Sequence, residues 1–182
     1  RAEYKGSFAP PFSDATDAGW ADLQRALAAE PSRQQALRDT IDRIHEADAW
    51  TKVVIFAPGG AAFDSAHAAL KKLGRPILAA EAASDGASDG ASVGEKLDLF
   101  SQRDEAYVKD ASRPLVLLMS FDQSSALNLQ KVSHNVIFYA PLWGEDADGV
   151  HASSNEQQAL GRVIRTGQPK DVVLHRIVAV GP

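Results

Sequence analysis

Two arginines three residues apart, Arg162 and Arg165, are the side chains in this sequence best suited to bind phosphate. The stretch 156–165 has helical periodicity, and Gly167 followed by the apolar run 172–178 predicts that the helix stops and a strand begins. Residues three apart project from one side of a helix, and a planar guanidinium matches phosphate oxygens. The spacing therefore predicts a clamp for a polyphosphate at the end of a helix.

The elements that must position this clamp alternate between strand and helix along the chain. The sequence predicts strands at 52–57, 76–80, 115–119, 135–139 and 172–178, and helices at 61–73, 93–102 and 156–165. Such alternation indicates a mainly parallel sheet with helices on both faces. The predicted fold class is therefore three-layer α/β. Two amphipathic helices precede it, marked by apolar residues at helical spacing: Trp20, Leu23 and Leu27, then Leu37, Ile41 and Ile44 after Pro31.

Length and composition restrict the class of protein. With 182 residues, 45% of them hydrophobic, we expect one domain, 35–182, behind an N-terminal extension and helix, 1–34. A net charge of -5 argues against a surface devoted to nucleic acid, although residues 155–182 are net positive. The sequence lacks cysteine and any apolar run of about 18 residues, so we expect an intracellular protein without a membrane partner. Without an initiator methionine, it is expected to be a segment of something longer.

No catalytic dyad or metal site competes with the arginine pair. The five histidines are scattered, and none has metal-ligand spacing to another histidine or to a carboxylate, so no metal site is predicted. A strained G-x-S-x-G elbow for serine hydrolysis is also absent. The turn at Gly59 and Gly60, which follows the first strand and opens a helix, is a further candidate for contact with phosphate.

Three segments of the chain resemble motifs of one ATPase family. Residues 157–168, Q-Q-A-L-G-R-V-I-R-T-G-Q, closely resemble motif VI of Swi/Snf-type ATPases, the DNA translocases of helicase superfamily 2. Residues 117–129 resemble motif V, and 134–143 resemble the N-x-V-I-F-x-D-P-x-W that follows it. The strand and turn at 53–60 correspond to motif IV. The resemblance implies the second, C-terminal RecA-like lobe of such an enzyme.

Motif V departs from the family pattern. Ser124 and Ser125 replace paired glycines, which in the family pattern allow the backbone to approach phosphate closely. Asp122 occupies the position where the family usually has a lysine. In the segment that follows, Ala140 replaces the aspartate before proline. Serine hydroxyls can donate to phosphate and compensate in part. The departures motivate an alternative, in which a degenerate lobe acts as a regulatory or protein-interaction module.

The resemblance also implies roles for individual residues. Arg162 and Arg165 would act as arginine fingers on the γ-phosphate of ATP. The implied nucleotide contacts are Gln158, Gly161 and Gln168. The implied contacts to nucleic acid are Ser120, Ser124, Ser125, Asn128, Gly59 and Gly60.

The first lobe of such an ATPase has no counterpart here. The sequence contains neither a G-K-[ST] loop nor a D-E-x-H box, which supply the phosphate cradle and the Mg²⁺ ligands. ATP and Mg²⁺ are therefore expected to bind only together with an N-terminal ATPase lobe of the same polypeptide, and this chain alone is expected to be inactive. The implied partners are that lobe and double-stranded DNA or nucleosomes, in a nuclear chromatin or repair factor. A third interpretation is an unrelated α/β enzyme that binds a nucleotide at the Gly59–Gly60 turn.

Overall fold

A computed structural model describes residues 31–80, 93–101, 112–121, 128–130, 132–141 and 150–178. The predicted helix around Trp20 and the motif V residues Ser124 and Ser125 lie outside these ranges. The elements in chain order are α1 (Pro31–Ala47), β1 (Val53–Ala57), α2 (Ala61–Lys71), β2 (Ile77–Ala80), α3 (Val93–Ser101), β3 (Val116–Ser120), β4 (Asn135–Phe138), α4 (Val150–Gly161) and β5 (Val173–Arg176). The predicted domain boundary between residues 34 and 35 stays a prediction.

The strands of the described residues form one parallel sheet in the order β2-β3-β1-β4-β5. Every residue of β1, β3 and β4 is buried, as expected for strands that are covered on both faces. Helices α1 and α2 cover one face, where Leu37 and Leu70 pack against Ile55 and Leu118. Helices α3 and α4 cover the other face. The three-layer α/β fold predicted from the sequence is thus confirmed.

Aromatic rings fill the face beneath α3 and α4. Phe56 stacks on Phe121 with ring centroids 5.6 Å apart, and Phe121 meets Phe138 edge to face at 5.1 Å. Phe100 of α3 and Ala159 of α4 are fully buried in the same cluster. These contacts hold α4 against the sheet, and the chain that follows α4 carries the two arginines.

Two buried cationic side chains attach helices to the sheet. Arg33 in the first turn of α1 donates to the carbonyl oxygens of Tyr139 and Ile177, just after β4 and β5, both at 3.0 Å. Lys52, just before β1, donates to the carbonyl of Phe100 and lies over its ring, 5.2 Å from the centroid. Each charge is therefore buried against groups that accept hydrogen bonds or attract cations.

The predicted bounds of two helices are wrong. Helix α2 ends at Lys71 rather than 73, because Lys72 and Leu73 close tighter turns onto Ala69 and Leu70. Helix α4 runs from Val150 to Gly161 rather than from 156 to 165. The sequence does not predict its start, because residues 150–155 are mostly small or polar, which weakens the periodicity. In the described part of the chain, no helix is long and apolar enough to cross a membrane.

Candidate functional site

The parallel sheet has two chemically different edges. The carboxyl ends of the strands lie at one edge, here called the carboxyl edge, and their amino ends lie at the other, the amino edge. Helix α4 lies between β4 and β5 in the chain, so its start follows the carboxyl end of β4 and its end precedes the amino end of β5. The segment Arg162 to Gln168, here called the arginine turn, therefore lies at the amino edge. The structure corrects the prediction that both arginines project from one side of a helix.

Local backbone geometry ends the helix and shapes the arginine turn. The N–H groups of Arg162 and Val163 bond to carbonyls three residues back, at 3.2 and 3.0 Å, so the helix tightens at its end. A second turn closes where the Gln168 N–H donates to the carbonyl of Arg165 at 3.0 Å. Its third residue, Gly167, has a φ of 96°, which a residue with a side chain rarely adopts. The glycine of the motif is therefore required by the backbone.

Hydrogen bonds attach the arginine turn to the segment that leads into β4. The N–H of Leu129 donates to the carbonyl of Arg162 at 3.0 Å. The side-chain amide of Gln168 donates to the carbonyls of Ser133 at 2.9 Å and Val163 at 3.3 Å. Leu129 and Ser133 are themselves buried. The backbone of the turn is thus held to the sheet, independently of its exposed side chains.

The two guanidinium groups are available for a ligand. Arg162 is half-buried and Arg165 is exposed. In the part of the chain that the structure describes, neither guanidinium takes part in a hydrogen bond or an ion pair. A fixed backbone that presents two unpaired guanidiniums from one short turn suits an oxyanion or phosphoryl group.

The other predicted nucleotide contacts lie around the same turn. Gln158 is exposed on α4, and Gly161 is the exposed last residue of that helix. Gln168 is half-buried, and its amide already serves three backbone groups, since its Oε1 also accepts from the N–H of Lys170 at 3.3 Å. The structure brings Asn128 here as well, because it precedes Leu129 and is exposed beside the arginine turn.

Other predicted nucleic-acid contacts lie at the carboxyl edge. Gly59 and Gly60 are exposed directly after β1, and Gly60 caps α2 with a φ of 67°. Ser120 ends β3 and is aligned with Ala57 of β1. Ser120 is only 1% exposed, and its hydroxyl has no hydrogen-bond partner. The glycine turn and Ser120 are thus neighbours, whereas Asn128 is separated from them by the length of the strands.

A groove at the amino edge contains residues that the sequence did not single out. It lies between α1 and the starts of β4 and β5, and its polar lining includes Arg43, Asp48, His134, Lys170 and His175. Burial and the Lys170 ammonium lower the pKa of His134, and burial and the Arg43 guanidinium lower that of His175. The hydrogen bond from the Thr51 hydroxyl is the main cause that lowers the pKa of Asp48.

The groove extends the positive charge of the arginine turn toward α1. The net-positive composition of residues 155–182 was the sequence signal for Lys170. The sequence does not mark Arg43 as a site residue, because a single exposed charge is usual on an amphipathic helix. Among the described residues, no group of three or more metal-ligating side chains is close enough to hold an ion.

The order of elements, the parallel sheet and its two helix layers give the fold of a RecA-like lobe of the helicase type. Solved structures that share this fold include the following two. One is the C-terminal part of the Fun30 ATPase domain, with a TM-score of 0.59, 20% identity, and coverage of 82% of this chain and 41% of that one. The other is the helicase domain of Pyrococcus furiosus Hef, with a TM-score of 0.51, 17% identity, and coverage of 91% and 29%.

The likeness to these structures is one of fold, and it confirms the helicase-type fold that the sequence motifs predicted. This chain spans less than half the length of either matched structure. No protein-family model matches the sequence, and no curated protein matches it.

Proposed function

We propose that this chain is the second, C-terminal lobe of an ATP-dependent DNA translocase of the Swi/Snf type. The observation that carries the proposal is the arginine turn, in which Arg162 and Arg165 follow α4 on a backbone anchored to the sheet. The helicase-type fold supports it, because the fold and the motif residues point to the same class of protein. A role in nuclear chromatin remodelling or repair belongs to the proposal and rests on the motif resemblance alone.

In this proposal the two arginines stabilise negative charge on the phosphoryl group during ATP hydrolysis. Guanidiniums supplied to a transferring phosphoryl are worth about 10³ to 10⁵ in turnover. ATP and Mg²⁺ would be held by a separate N-terminal lobe of the same polypeptide, since the sequence has no phosphate-binding loop of that kind. The chain alone would then bind nucleotide weakly and hydrolyse none.

The proposed DNA contacts involve two parts of the lobe. At the carboxyl edge, the exposed Gly59 and Gly60 leave open space where a side chain would stand, so a phosphate can approach their backbone closely. At the amino edge, Asn128 offers an exposed amide beside the arginine turn. Double-stranded DNA, free or on nucleosomes, is the proposed substrate, and backbone contacts of this kind make its recognition independent of sequence.

The test uses the full-length protein and measures its DNA-stimulated ATPase activity. Arg165→Ala should lower turnover by about 10³-fold or more, with an unchanged melting temperature, because the exposed side chain contributes nothing to packing. Lys71→Ala, which removes an exposed positive charge from the last residue of α2, outside the groove, is the control and should retain activity. Retained turnover in Arg165→Ala would overturn the proposal. Normal binding of protein partners by that same variant would then favour the regulatory module.

A further inference from the structure

The side chain of Gln168 has its hydrogen-bonding groups committed to the backbone. Its two amide hydrogens go to the carbonyls of Ser133 and Val163, at 2.9 and 3.3 Å, and its oxygen accepts from the N–H of Lys170 at 3.3 Å. A glutamine amide has two donor hydrogens, so neither remains for a nucleotide while these bonds hold. We infer that Gln168 is a positioning residue, which fixes Arg162 and Arg165 toward their ligand rather than touching that ligand itself.

The acceptor on the sheet side is rigid. The Ser133 hydroxyl lies 2.7 Å from the carbonyl of Lys52 and 3.0 Å from that of Asn135, and it accepts from the Asn135 N–H at 3.2 Å. Ser133 is 3% exposed, and these hydrogen bonds connect it to the starts of both β1 and β4. The hydrogen bond from Gln168 to the Ser133 carbonyl therefore fixes the arginine turn relative to these two central strands.

The second acceptor of the Gln168 amide nitrogen, the Val163 carbonyl, lies inside the turn. Val163 stands between the two arginines in sequence and is fully buried against the sheet face beneath α4. The amide joins its carbonyl to Ser133, and the backbone N–H of Gln168 closes the turn onto Arg165. One residue thus sets both the distance of the turn from the sheet and its closure.

The inference rests on the proposed function, because it assigns the residue that orients the proposed arginine fingers. A displacement of about 1 Å in a catalytic group can cost about 10²-fold in rate. Gln168→Met keeps the length of the side chain and removes both donors and the acceptor. In the full-length protein it should lower kcat for ATP by tenfold to a hundredfold, and it should leave KM for ATP unchanged, since no contact with bound ATP is lost.

Two further variants separate positioning from general loosening. Ser133→Ala removes buried hydroxyl hydrogen bonds at the same corner but keeps the carbonyl that Gln168 uses, so it should lose stability while retaining most of kcat. In the background of Arg165→Ala, Gln168→Met should cost less than it does in the parent, because the group it positions is gone. Gln168→Asn, one methylene shorter, has the same expected kcat effect if Gln168→Met does not fold.

Each measurement can overturn the inference. A rise in KM at constant kcat would mean a direct nucleotide contact, and unchanged kinetics would mean no role in turnover. An equal loss of kcat in Ser133→Ala at matched stability would mean that loosening alone is responsible. If Arg165→Ala is fully active, the proposed function fails first and the inference fails with it. If only the Gln168 variants are fully active, the inference fails alone.

Discussion

The backbone N–H of Leu129 donates a 3.0 Å hydrogen bond to the carbonyl oxygen of Arg162. An uninterrupted helix would use that carbonyl for a residue one turn further on. A neighbouring segment uses it here instead, so the bond pairs a carbonyl just beyond the end of α4 and joins the motif V segment to motif VI. Leu129 is 1% exposed, and its side chain packs in the core beneath α4. The position of the first arginine therefore depends on packing that lies outside its own motif.

Leu129→Ala should destabilise the protein and loosen the arginine turn. Truncating a buried leucine to alanine typically costs about 2–5 kcal/mol. Asn128→Ala, at the exposed neighbouring residue, should change the free energy of unfolding by no more than about 0.5 kcal/mol. Chemical denaturation measures both, and equal losses in the two variants would contradict the described packing.

Two glycines of the motif should respond to alanine in opposite directions. Gly167→Ala forces a side chain onto a φ of 96° and should cost about 1 kcal/mol or more. Gly161→Ala occupies the last position of α4, where a Cβ meets nothing within 4 Å, and should be neutral or stabilise by up to about 1 kcal/mol. Thermal unfolding of the pair provides the comparison. A stabilised Gly167→Ala variant would rule out the turn as described.

Arg33→Met should destabilise the carboxyl edge of the sheet. The methionine preserves the packing of the stem but leaves the carbonyls of Tyr139 and Ile177 without this donor. Each buried group left unpaired costs about 1–3 kcal/mol. Arg43→Met on the exposed side of the same helix is the matched substitution, and it should have little effect on the free energy of unfolding. Similar losses in both variants would show that the buried arginine has no special role.

Acid should destabilise the fold through His45. Its Nε2 faces the carbonyl of Thr51 at 3.0 Å, and its Nδ1 faces the Arg75 guanidinium. A carbonyl only accepts and a guanidinium only donates, so the neutral tautomer with its proton on Nε2 satisfies both. Burial is the main cause that lowers the His45 pKa, and Arg75 also lowers it, whereas the Thr51 bond and the carboxylates of Asp42 and Asp48 raise it.

Because the folded pKa of His45 lies below the unfolded value of about 6.5, the unfolded chain binds the proton more readily. The stabilising contribution is present above that value and is lost as pH falls from it toward the folded pKa. His134 and His175 act in the same direction. Unfolding by urea at pH 7.5 and 5.5 should show lower stability in acid. His45→Gln should reduce this difference, and an unchanged difference would exclude His45 as a contributor.

The fold was predictable because strands that are buried on both faces must be apolar along their whole length, and such runs are visible in the sequence. Residues 53–57 and 116–120 carry side chains suited to either face of a covered sheet. The helix ends were less predictable. Nothing in the sequence of 156–165 reveals that Leu129 captures the carbonyl of Arg162, because that contact is tertiary.

The candidate site was predictable in its residue types and not in its arrangement. The arginines follow from a linear motif, whereas Asn128 and Ser120, eight residues apart within one motif, lie at different edges of the sheet. Likewise, the linear motif does not explain why residue 168 is a glutamine. Its three backbone partners lie on segments that only the folded sheet brings together.

The separation of the two edges has a mechanical consequence. A strand of five residues spans about 16 Å, so a side chain at the amino edge does not reach a phosphate at the carboxyl edge. In the proposed function, events at the nucleotide and at the Gly59–Gly60 contact with DNA would therefore be linked by tilt and translation of the lobe as one stiff body. The fully buried strands β1, β3 and β4 would then act as a rigid link, and in the proposed function small rotations of the arginine turn about a nucleotide would become displacements along the DNA.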